Sequence, residues 1–114
     1  MKNIEAMKKL SMCVEEFRKL DSDIPASTIS AFCHIVCHHR DPQGVSIRDV
    51  AEALGVSQAS GSRQVMMLSG VNRHRGKGFG LVDTKEDPMY RARKVITLTP
   101  KGERVANTIQ MFLE

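Results

Sequence analysis

The stretch VSIRDVAEALGVSQASGSRQVMML, residues 45–68, constrains the fold more than any other part of the chain. It reads as two short helices that meet at Gly55, where a tight bend calls for a residue that tolerates positive φ. Ser46 is placed to cap the first helix, with Asp49 completing a variant capping box. Ala51 lies one helical turn before the glycine, and a small side chain there permits the steep crossing of a helix-turn-helix. Val50, Leu54 and Val56 supply apolar packing around the bend. Ser57 is the N-cap candidate of the second helix. Gly61 inside that helix costs about 1 kcal/mol against alanine. At about 100° per residue it shares a face with Val65 and Leu68, which predicts a close approach to the first helix near Ala51. The opposite face carries Ala59, Ser62, Arg63 and Met66.

The flanking sequence supplies further elements. Residues 2–20 predict an amphipathic helix, with Met7, Leu10, Val14 and Phe17 on one face. Pro25 suits the first turn of a second helix over 24–40, which DPQG (41–44) ends. The segment 70–80, glycine-rich and basic, reads as a loop. LVDTK and KVITLT predict an antiparallel hairpin with a long tip over 81–99, and Pro100 opens a last helix over 100–114. The expected order is four helices, a hairpin and a final helix, in a single domain of residues 1–114.

Charge is distributed unevenly along this order. Residues 57–94 hold eight Lys and Arg against three acidic side chains, which is more than the whole net charge of +4. Such asymmetry fits a phosphate-binding surface. The opening MKNIEAMKKL has no uninterrupted apolar run, so neither a secretory signal nor a membrane span is expected. Three cysteines without paired spacing argue against a disulfide framework, so the expected compartment is a reducing cytoplasm. No nucleophile–base pairing, phosphate loop or carboxylate pair suggests an enzyme, and no cofactor is expected.

The helix-turn-helix followed by GLVDTKEDPMYRARKVITLTPKGERV resembles the winged-helix domain of the MarR family of bacterial transcription regulators. The similarity covers about residues 24–108, and the wing exit LTPKGERV is its most specific part. The resemblance implies a mainly α fold with a small β-hairpin wing, the N- and C-terminal helices forming a dimerisation platform. It also implies a homodimeric repressor that binds double-stranded DNA sequence-specifically. The recognition helix, within a helix-turn-helix over 46–69, would lie in the major groove, and the wing would reach the minor groove or backbone. Ser57, Gln58, Ala59, Ser60, Ser62, Arg63 and Met66 are the candidate contacts on that helix. Arg91 and Arg93 lead on the wing, with Lys85 and Lys94 as phosphate contacts.

The chain departs from the family in three places. Where the family usually has an aspartate–x–arginine pair, the wing tip reads Tyr90, Arg91, Ala92, so the tip salt bridge is either absent or rebuilt with Asp87. The 70–80 loop is longer than usual, and Arg73, Arg75 and Lys77 would extend the DNA footprint as a basic arm. The last helix is short, so dimerisation would rest on residues 2–20 with 101–113.

Rival readings attach to particular residues. In CHIVCHHR (33–40), Cys33 and Cys37 read as small core residues and His34 and His38 as surface residues, with no metal site. Cys13 on the first helix is the candidate for a thiol-redox-sensing regulator. A winged helix that binds another protein in place of DNA is the remaining alternative, and no residue marks a small-molecule effector pocket.

Overall fold

A computed structural model describes residues 2–72 and 76–114, with the side chains at 71–72 and 76–77 outside the description. The element order is α1 (Lys2–Arg18), α2 (Ala26–His38), β1 (Val45–Ser46), α3 (Ile47–Leu54) and α4 (Gln58–Leu68). There follow β2 (Val71–Asn72), β3 (Gly76–Lys77), β4 (Val82–Glu86), β5 (Lys94–Leu98) and α5 (Pro100–Leu113). This is a winged helix, mainly helical, with a three-stranded antiparallel sheet in the order β1-β5-β4.

The core lies where α2, α3 and α4 close over the sheet. Ile35, Val45, Val50, Val65, Leu68, Leu81, Val82 and Ile96 are sealed from solvent, and Phe17 meets Phe32 edge-on at 5.8 Å between centroids. Along α1 only Cys13 and Phe17 turn inward; Met7, Leu10 and Val14 from the same apolar stripe stay exposed.

The α2 helix buries Thr28, Ala31, Phe32 and Ile35, a face rotated from the expected one, so Cys33 and Cys37 are exposed rather than core residues. Pro25 caps α2 instead of sitting in its first turn. Its extended ψ of 143° fits the cap position that precedes the first helical residue.

The loop expected over 70–80 contains a short antiparallel pair, β2 with β3. Arg73 and Arg75 lie outside the described residues; Lys77 falls on β3. On either side of this excursion the chain is pinned to the end of α4. Phe79 N donates to Met67 O at 2.9 Å, Gly80 N to Ser69 O at 3.1 Å and Leu81 N to Leu68 O at 2.8 Å. These bonds satisfy carbonyls that a helix C-terminus otherwise leaves open.

The wing exit has a comparable local logic. Thr99 caps α5 by accepting from Gly102 N at 3.0 Å, and its hydroxyl donates to Gly80 O at 2.6 Å. Thr99 N also donates to Leu81 O at 3.0 Å. Any Cβ at Gly102 would collide with the Leu81 carbonyl, whose carbon stands 3.0 Å away. Threonine, proline and glycine in LTPKG thus cap, start and seat one helix against the wing root.

Candidate nucleic-acid interface

The candidate surface is built from caps and a close helix crossing. Ser46 Oγ accepts from Asp49 N at 3.1 Å while Asp49 Oδ2 accepts from Ser46 N at 2.9 Å, the complete capping box. Gly55 ends α3 in the left-handed region at φ 67°. Val50 and Ala51 are buried and Leu54 partly so, whereas Val56 is exposed and does not pack around the bend. Ser57 caps α4 by accepting from Ser60 N at 3.1 Å. Gly61, Val65 and Leu68 form its buried face.

Two contacts set the pose of α4. A Cβ built on Gly61 would stand 2.6 Å from Ala51 Cβ and 3.0 Å from Ala51 Cα, so the two helices touch backbone to backbone there. Behind it, the buried Thr28 hydroxyl donates to Gln64 Oε1 at 2.5 Å, tying α2 to α4 through a partly buried hydrogen bond. Neither Thr28 nor Gln64 stood out in the sequence, because a threonine within an apolar helix has no local signal for a distant partner.

Outward, Ser57, Gln58, Ala59 and Arg63 are exposed and Ser60, Ser62 and Met66 are half-buried. A groove separates this helix start from the wing, lined in part by Arg48, Gln58, Tyr90 and Lys94. Arg48, at the start of α3, is a cation that sequence reasoning missed; its side chain is 80% exposed even with Glu52 at 3.2 Å. An arginine beside a capping box carries no sequence mark that it faces the wing.

On the wing, Arg91, Lys85 and Lys94 are exposed. Lys85 pairs with Val95 and Glu86 with Lys94, so Lys85 and Lys94 stand on opposite faces of the hairpin. Lys94 faces the groove, with Glu86 at 3.7 Å.

Arg93 is placed differently from the other wing cations. Its Nη1 donates to Asp87 Oδ2 at 2.9 Å and to Gln43 O at 2.9 Å, and its Nη2 lies 3.4 Å from Asp49 Oδ2. The tip salt bridge is thus rebuilt with Asp87 and extended to α3. This guanidinium is only 28% exposed and links the wing tip to α3.

Charge follows the same geometry. Burial pushes the Asp49 carboxyl up, but the Ser46 N–H and hydroxyl together with Arg93 outweigh it and hold the group below its usual range. The Met89 N–H, then Arg93, lower Asp87. Both carboxylates are therefore anionic partners built into the scaffold.

Among the described residues, no group of three or more His, Cys, Asp or Glu converges to hold a metal. His34 and His38 stack at 4.4 Å between ring centroids, half-exposed, and His38 bonds Asp41 at 2.8 Å. No described helix is long and apolar enough to cross a membrane.

Comparison with solved structures matches this architecture along nearly the whole chain. The S. aureus MepR–DNA complex superposes with a TM-score of 0.70 at 22% identity, covering 99% of this chain and 79% of that one. The PcaV transcriptional regulator from Streptomyces coelicolor gives 0.60 at 18% identity, covering 99% and 75%. RV1404 from Mycobacterium tuberculosis gives 0.68 at 18%, covering 94% and 65%. At these identities the likeness establishes the winged-helix fold. No family model and no curated protein matches the chain in sequence.

Proposed function

We propose that this chain is a MarR-like transcription regulator that binds double-stranded DNA as a homodimer in the cytoplasm and represses its target genes. The observation that carries the reading is one open groove between the start of α4 and the wing, with the exposed cations Arg48 and Lys94 on its two sides. Arg63 on α4 and Arg91 on the wing are exposed beyond its lining. The presence of DNA in the complex formed by MepR, which has the same fold, supports it.

In this reading the start of α4 enters the major groove. Gln58, Ala59, Ser62 and Arg63 meet base edges, Ser60 and Met66 flank them, and the capped N-terminus at Ser57 receives a phosphate. Arg48, Arg91 and Lys94 hold backbone phosphates, Lys85 reaches from the wing's outer face, and Arg73, Arg75 and Lys77 extend the footprint. Arg93 acts as a positioning residue. The exposed Ile4, Met7 and Leu10 of α1 with Met111 and Leu113 of α5 supply the apolar face for a second copy.

Selection of genomic fragments with the purified protein, followed by affinity measurements across salt concentrations, tests the reading. Duplex binding with a steep salt slope is expected, weakened by Arg63→Ala together with relaxed preference at one base position. Absence of duplex affinity at low salt sinks it and promotes the protein-binding alternative.

A further inference from the structure

The wing tip holds two large, mostly apolar side chains out in solvent on a hydrogen-bonded frame. Asp87 organises that frame, with Oδ1 accepting from Met89 N at 2.9 Å and Oδ2 accepting from Arg93 Nη1 at 2.9 Å. Asp87 N donates to Arg93 O, and Arg93 N donates to Tyr90 O, each at 2.9 Å. Within this closed tip Met89 is 82% exposed and Tyr90 70% exposed. Neither belongs to the apolar face of α1 and α5, and neither packs on the core.

The surroundings indicate what covers them. Tyr90 lines the groove opposite Gln58 and Arg48, Arg91 follows it directly, and Lys94 stands at the wing edge. A projecting apolar pair flanked by cations matches a surface with anionic rims and apolar ground between them. The minor groove of duplex DNA offers phosphates on its edges, apolar sugar walls, and base steps between which apolar side chains wedge. A protein partner would need an apolar cleft rimmed by carboxylates to cover the same pair and cations.

We propose that Met89 and Tyr90 enter the minor groove as an apolar wedge while Arg91 holds the adjacent phosphate. The inference rests on the DNA-binding reading above and adds two contact residues to it. Apolar insertion releases no counterions, so the wedge contributes the salt-independent share of the affinity.

The test uses the duplex recovered by selection with the wild-type protein, and netropsin as a minor-groove competitor. The Met89→Ala/Tyr90→Ala double variant should lose about tenfold in affinity with its salt slope unchanged. Arg91→Ala should lower the slope by about one. Netropsin should weaken wild-type binding and leave the double variant nearly unaffected. Both side chains are exposed, so the thermal midpoint of the double variant should match wild type and separate contact loss from unfolding. Unchanged duplex affinity in the double variant overturns the wedge alone and assigns the tip to a protein surface. If wild type binds no duplex, the wedge and the functional reading fall together.

Discussion

Gly61 lies against Ala51 so closely that a methyl group at Gly61 would stand 2.6 Å from the Ala51 Cβ. Alanine at Gly61 improves helix propensity by about 1 kcal/mol, but overpacking costs about 1–3 kcal/mol, and here the obstacle includes the Ala51 backbone. Gly61→Ala is expected to lower stability by about 1 kcal/mol in urea unfolding. Adding Ala51→Gly should rescue part of the loss, since the Ala51 Cα at 3.0 Å remains. A stabilised Gly61→Ala variant would show that the helices have room to spare.

Arg93 joins the wing to α3 through Asp87 and Asp49. Arg93→Ala should cost about 1 kcal/mol in stability, the scale of hydrogen bonds to charged groups at a partly exposed site. Hydrogen exchange at the Asp87 and Arg93 amides should speed up at the same time. DNA affinity should fall with little change in salt slope, which marks a positioning residue; a slope reduced by about one would instead make Arg93 a phosphate contact.

The lowered Asp49 and Asp87 carboxyls carry a pH signature. A folded pKa below the unfolded one gives stability that is fully present above the unfolded value, about 3.9 for aspartate. That stability is lost as pH falls through the depressed folded value. Thermal midpoints should therefore drop below about pH 4, and Asp49→Asn should show a shallower drop than wild type. Equal acid sensitivity in the two proteins would remove Asp49 from the account.

Thr99 both caps α5 and donates to Gly80 O at 2.6 Å. Thr99→Val should cost about 1–2 kcal/mol by removing the cap and leaving the Gly80 carbonyl without that donor. Thr99→Ser keeps the hydroxyl and should stay within about 0.5 kcal/mol of wild type in the same denaturation series. Equal loss in both variants would assign the effect to the threonine methyl.

What the sequence made legible was local. Ser46 with Asp49, Gly55 and Ser57 each signal through residues a few positions away, and the caps and bend stand where expected. Gly61 was readable because a helical wheel has only one place for it.

The misreadings needed distant partners. Strand β1 is two residues long and exists because β5 pairs with it. The buried face of α2 turned to Thr28, which Gln64 satisfies, and so carried Cys33 and Cys37 outward. In the sequence, Arg93 is indistinguishable from Arg91; only the placement of Asp49 and Asp87 shows that it holds two ion pairs.

The pinned ends of the excursion after α4 have a consequence for how such a protein changes over generations. Phe79, Gly80 and Leu81 return to Met67, Ser69 and Leu68, so the chain rejoins the scaffold where it left. Insertions or deletions between those anchors leave the described core residues in place. The scaffold thus offers a port at which a lineage can lengthen, shorten or recharge a peripheral arm, altering what the molecule touches without redesigning what holds it together.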